Sequence, residues 1–143
     1  MKLYITLTKR NLAVIFLSVV ITLFVVSQIA SSTAYKIDGS THALRENYIR
    51  SLGHRIDEKQ ISSKEIIVPE SFGRVYNQYN DLQKKAGFDL SDYKGRRATV
   101  YTYRMLNQPD TQIHLMVCDG VIIGGDIASV KLGGEMKPLK NSK

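Results

Sequence analysis

The sequence predicts an α+β fold: two helices packed on one face of a small, mainly antiparallel sheet, preceded by one N-terminal transmembrane helix. Three observations predict it. A long uncharged apolar run stands near the start of the 143-residue chain. Two stretches with apolar residues at helical spacing follow it. Three alternating segments, separated by turn signals, make up most of the rest. Helices followed by a strand meander suggest a two-layer domain, in the order α-β-α-β-β-β.

The apolar run comes first. Residues 11–35 contain no charged side chain, and Leu12–Ala30 is dominated by Leu, Val, Ile, Phe and Ala. At 1.5 Å per residue this stretch reaches about 28 Å, close to the hydrocarbon thickness of a bilayer. Ser18, Thr22 and Ser27 can return their hydroxyls to the helix backbone, which makes them tolerable in lipid. Lys2, Lys9 and Arg10 precede the run, and no acid occurs before Asp38. The positive-inside rule then keeps the N-terminus in the cytoplasm and sends the remainder outside. The alternative is a signal peptide cleaved near Ala34, where Ser32-Thr33-Ala34 supplies small residues. Against it, the apolar core is longer than the usual signal core. The organisation read from the sequence is a cytoplasmic basic segment (1–10), an anchor (11–31), a linker (32–40), an extracytoplasmic domain (41–139) and a basic tail (140–143).

Within the domain, Ser40 or Thr41 can cap a first helix over residues 41–52. Leu44, Tyr48 and Leu52 form its apolar stripe with Ile49 beside them, and Gly53 stops it. Glu65–Val68 reads as a short strand. Pro69 opens a second helix running to Lys85, with Phe72, Val75, Tyr76, Tyr79, Leu82 and Ala86 on its buried face. Gly87 terminates it. Residues 97–105 and 111–118 alternate as strands around a turn at Asn107–Asp110. Asp119-Gly120 is the strongest hairpin signal in the chain. The returning strand, 121–130, is expected to break near Gly124-Gly125.

Charge and cysteine content exclude some functions. The formal net charge is +7. Residues 41–130, however, carry 12 Lys/Arg against 11 Asp/Glu, so the excess sits at the two ends. A nucleic-acid binder needs its basic face on the folded domain. Cys118 is the single cysteine and excludes an internal disulfide.

Several segments occur in an order that resembles one bacterial family. They are Glu65–Phe72, Val75–Gln83, Gly87-Phe88-Asp89-Leu90, Tyr93-Lys94-Gly95, Tyr101-Thr102-Tyr103, Asn107 with Pro109, and Val121–Asp126. The family is catalogued as domain of unknown function 4830, found mainly in clostridia and relatives, and the resemblance spans residues 47–139. It implies an export or anchor segment followed by one small domain, and no known activity, ligand or catalytic residue. The sequence departs from the family pattern at Gly53-His54-Arg55, where a Gly-Trp-Glu type step is usual. It departs again at Gly134–Leu139, which lacks an aromatic residue and a histidine.

Candidate chemistry is thin. Cys118 with His114 and Asp119 suggests a nucleophile, but His114 and Cys118 stand about 13 Å apart along one strand, and a packed thiol is the simpler reading. His42, His54 and His114 show no metal-ligand spacing. Asp81, Asp89 and Asp92 lack the alternation of a calcium loop and read as turn caps. Gly124-Gly125-Asp126 lacks the lysine and helix of a phosphate cradle, and reads as a β-bulge or a point of close backbone packing. Tyr76, Asn80 and Gln83 share one helix face, and Tyr79 is adjacent to it. They are the candidate binding residues, for a sugar or peptide, against the alternative that they are satisfied inside the core. The sequence offers no catalytic constellation, cofactor site or metal site.

The function expected is therefore a membrane-anchored, non-catalytic binding or protein-interaction module. Its partners would be the lipid bilayer and another envelope protein or a wall polymer, and not nucleic acid. Two alternatives stand beside it: a cell-envelope hydrolase using carboxylates, and a secreted soluble domain.

Overall fold

A computed structural model describes residues 14–22, 36–106 and 108–140, without the side chains of residues 58–61. The chain divides into two compact units, residues 1–35 and 36–143. In the first, residues 14–22 are helical with exposed side chains. The Ser18 hydroxyl donates to the Ile15 carbonyl at 2.7 Å, and that of Thr22 to the Ser18 carbonyl at 2.8 Å. Among the described residues no helix is long and apolar enough to cross a membrane. Most of the 11–31 span, Ser27 included, lies outside the described residues.

The second unit is an antiparallel sheet with a helix on each face. Its elements are β1 (Ile37–Asp38), α1 (His42–Ser51), β2 (Ile56–Ile67), α2 (Arg74–Lys85), a 3-10 turn (Leu90–Tyr93), β3 (Arg97–Met105), β4 (Gln108–Cys118), β5 (Val121–Ser129) and β6 (Met136–Pro138). The strand order is β1-β5-β4-β3-β2, and β6 also pairs with β5. β1 takes Val121 and Ile122, and β6 takes Asp126–Ala128, so the two short strands share one edge. Neither is legible in the sequence. Ile37-Asp38 falls in a segment that reads as linker, and Met136–Pro138 in a stretch with no alternation.

Two apolar clusters follow from the two-residue period of a strand. Tyr103 and Met105 of β3, Ile113, Leu115 and Val117 of β4, and Ile122 of β5 face Ile49 of α1. Ala98 of β3, Met116 and Cys118 of β4, and Ile123 of β5 face the other way, against Phe72, Tyr76 and Tyr79 of the α2 segment. This corrects the expectation of two helices on one face. The alternation of 97–105 and 111–118 puts apolar groups on both sides, and each side must be covered from water.

The helices form where their caps permit. Thr41 accepts the Leu44 N–H and starts α1. Gly53 and Gly87 follow the two helices with positive φ. α2 starts at Arg74 rather than at Pro69, with Gly73 at its cap. Most of each predicted stripe packs in a core, Tyr48, Ile49 and Leu52 from α1 and Phe72, Tyr76, Tyr79 and Ala86 from the α2 segment, but polar residues join each buried face. Arg45 and Ile49 are buried on α1, whereas Leu44 is 37 % exposed. Asn80 and Gln83 are buried on α2, whereas Val75 is 79 % exposed. β2 is far longer than Glu65–Val68, because backbone pairing with β3 carries the polar stretch before it. β4 begins at Gln108, so Pro109 and Asp110 lie in a strand and not in a turn. Asn107 lies outside the described residues. Asp119 and Gly120, both at positive φ, make the hairpin turn.

Candidate functional site

The most polar part of the interior lies between α2 and β4–β5. Tyr79, Asn80 and Gln83 point into it from one side of the helix. Opposite them is Asp126, a carboxylate only 2 % exposed. The Tyr79 hydroxyl donates to Asp126 Oδ2 at 2.9 Å. His114, its cross-strand partner on β4, places Nδ1 2.8 Å from Oδ1. A buried carboxylate needs such partners, and here both oxygens have one. Burial, and then the charge of Asp126, raises the pKa of Tyr79. The imidazole of His114 is a quarter exposed, and with Nδ1 held by Asp126 its Nε2 is the ring nitrogen without a partner among the described residues.

The two amides bind backbone. Asn80 Oδ1 accepts the Leu90 N–H at 2.8 Å, and its Nδ2 donates to Asp89 at 2.9 Å. Gln83 Oε1 accepts the Gly125 N–H at 2.8 Å, on the stretch of β5 between its pairings with β1 and β6. Gln83 Nε2 and the Tyr76 hydroxyl are buried without a hydrogen-bond partner among the described residues. Tyr76 packs against Phe72 and Tyr79, with ring centroids 4.6 and 5.9 Å away. Burial raises its pKa.

Gly124-Gly125-Asp126 takes its meaning from this interface. Met116 pairs with Gly124 and Val117 with Ile122, which leaves Ile123 as the extra residue of a bulge. Ile123 and Gly124 therefore both turn toward α2. A Cβ on Gly124 would stand 2.9 Å from Gln83 Oε1, and one on Gly125 would stand 2.6 Å from the His114 carbonyl oxygen. The bulge and close backbone packing expected at this motif are both present.

The other candidates do not assemble. Cys118 is 2 % exposed and its thiol pKa is raised by burial. It lies under a cleft of about 410 Å³ lined by Lys36, Asp92, Tyr93, Arg96, Asp119 and Val121. His114 is two alternate positions away along β4 and is bonded to Asp126. Asp119 instead pairs with Arg96. Asp89 serves as a cap, accepting the Ser91 N–H and the Asn80 amide. Burial acts to raise its pKa, but these bonds and the charge of Lys84 outweigh it and hold the carboxyl well below the usual range. His42 lies on α1 beside Glu46, and His54 Nε2 is 3.3 Å from the Leu139 carbonyl. Among the described residues no three His, Cys, Asp or Glu side chains are placed to share a metal ion.

Sequence reasoning named Asp126 only within the Gly124-Gly125-Asp126 motif and missed its partnership with His114. The pair is 12 residues apart and meets only because Asp119-Gly120 turns β4 back onto β5. The missed signal was the hairpin itself, which fixes a register and so could have aligned the two positions.

Fold and site together define a small α+β domain, with one helix on each sheet face and a Tyr-Asp-His cluster around a buried carboxylate under the second. The chain belongs to the family of domain of unknown function 4830, whose model matches residues 48–127, more than half of its length. No curated protein and no solved structure gave a significant match.

Proposed function

We propose that this chain is a membrane-anchored domain displayed on the outer face of the cytoplasmic membrane, and that its folded part binds a partner rather than catalysing a reaction. One observation carries the binding reading. Tyr79, Asn80 and Gln83 each make a bond that holds α2 to the sheet or to the 3-10 turn, and Asp126 has both oxygens occupied. The polar groups best suited to chemistry are thus engaged in packing. What remains outward-facing is the imidazole edge of His114 and the sheet surface beside it. The anchor reading is supported by the uncharged run over residues 11–35 and the basic residues before it.

The experiment is a pair of fusions at the C-terminus, one reporter active only in the cytoplasm and one active only after export. Activity of the exported reporter alone is the expected result. A cytoplasmic signal would overturn the location. A mature N-terminus at Tyr35 would replace the anchor with a cleaved leader.

A further inference from the structure

We infer that the part of the sheet left open beside α2 binds an anionic, hydroxyl-rich polymer of the acidic-polysaccharide class, with Arg104 and Lys64 as its cationic contacts and His114 as a polar one. The proposal rests on the reading of the domain as a binding module and names the ligand class.

Register places the residues. Cross-strand pairs put Ser62, Thr102, His114 and Asp126 in one row across β2, β3, β4 and β5. Lys64 pairs with Val100 in the row on one side, and Arg104 with Gln112 in the row on the other. Directly opposed residues share a face, and so do alternate residues along a strand. All of these side chains therefore lie on the α2 face. Neighbouring strands are about 5 Å apart and alternate residues about 7 Å, so Arg104, His114 and Lys64 span a few sugar units. α2 covers the Asp126 end of the row. Ser62, Lys64 and Arg104 are exposed, and Thr102, Gln112 and His114 half-buried.

Charge selects the ligand. The side chains of Arg104 and Lys64 make no hydrogen bond or ion pair with another described residue. Asp126, on the same face, is buried and bonded to Tyr79 and His114. Asp110, farther along β4, is paired with Lys131 at 3.0 Å. Two free cations thus stand on a surface where Asp126 and Asp110, among the described residues, are already satisfied, and an unpaired anion is the complementary partner. The hydroxyls of Ser62 and Thr102, the Gln112 amide and the His114 Nε2 edge match a ligand rich in hydroxyls. Shape separates a polymer from a membrane. The patch lies at the foot of a helix about 10 Å across, which an extended chain can follow and a flat lipid surface cannot.

The test uses the full-length chain in neutral detergent micelles, with a fluorescent oligogalacturonate as the acidic probe and a maltooligosaccharide as the neutral one. Saturable binding of the acidic probe alone is expected, weakening as salt rises. Arg104→Glu and Lys64→Glu should each weaken it at least about tenfold, because a charge that attracts the probe is replaced by one that repels it. Arg97→Glu, on β3 but on the opposite face, should change it less than about twofold. Unchanged melting temperatures would show that the variants remain folded. Absence of binding, or equal losses from Arg97→Glu, would overturn the proposal. So would displacement of the probe through Arg104 by micelles doped with phosphatidylglycerol, which would make lipid the occupant. A cytoplasmic reporter signal with binding intact would remove the proposed location and leave the surface standing.

Discussion

Asp126 shows what one buried charge does to its neighbours. At 2 % exposure it would be too costly alone, and the Tyr79 hydroxyl and His114 imidazole supply its hydrogen bonds. The same geometry makes Tyr79 hard to ionise. A group whose folded pKa is raised contributes stability below its unfolded value, near 10 for tyrosine, and loses it as pH climbs toward the folded value. Alkaline unfolding followed by circular dichroism should therefore steepen above about pH 10 and flatten in Tyr79→Phe. Tyr48, pushed up to about 12 by burial, adds to the same limb. Asp89 acts in the opposite range. Its folded pKa is depressed, so its contribution is present above about pH 4, the unfolded value, and is lost as pH falls toward the folded one. In Asp89→Asn, stability should fall less between pH 4 and pH 2 than in the parent, as urea titrations at each pH would show.

At the scale of single residues, polarity is a poorer guide than apolarity. Cys118, read as a packed thiol, is buried. Asn80 and Gln83 were legible as a pair on one helix face, but their backbone partners, Leu90 and Gly125, were not. Arg45 carries no signal in the sequence, yet it is 5 % exposed. Its guanidinium lies 3.6 Å from the Tyr101 ring centre, donates to the Tyr103 hydroxyl at 2.9 Å and donates to the Gly39 carbonyl at 2.7 Å. A one-dimensional pattern counts arginine as surface, whereas this one meets an aromatic face and three neutral acceptors, the third being the Ser40 carbonyl at 3.3 Å.

Elements hold the domain together through two different devices. On one face Arg45 clamps the β1–α1 connection and α1 to β3. Arg45→Met keeps the apolar stem but removes charge-assisted bonds to the Tyr103 hydroxyl and the Gly39 carbonyl. A loss of about 2–4 kcal/mol in urea unfolding is expected. On the other face the bulge in β5 brings glycine backbone against α2. Gly125→Ala forces a Cβ onto the His114 backbone and should cost about 1–3 kcal/mol. Gly124→Ala meets first the amide end of Gln83, a side chain that can move, and should cost less. The difference between the two melting temperatures checks this order, and a larger loss at Gly124 would count against it.

For the whole molecule, the deciding feature is that the sheet is covered from both sides. Leu139, just after β6, is 1 % exposed and packs in the α1-side cluster together with Ala86 and Phe88. The chain after α2 and the chain after β6 therefore close the same core, although each looks like a loop in the sequence. This closure also leaves the region of β2 and β3 beside α2 uncovered, with Arg104 and Lys64 outward.

Local chemistry in the sequence determined the helix caps at Thr41 and Gly87, the Asp119-Gly120 hairpin, the alternation of β3 and β4, and the family resemblance. Each depends on residues a few positions apart, so short-range sterics and hydrogen bonding suffice to specify it. Only the tertiary structure decided which sheet face each helix covers, that Ile37-Asp38 and Met136–Pro138 are strands, and that Asp126 meets both Tyr79 and His114. Those outcomes depend on contacts between distant segments. There, burial of two apolar faces and satisfaction of one buried carboxylate outweigh the weak preferences of each segment taken alone.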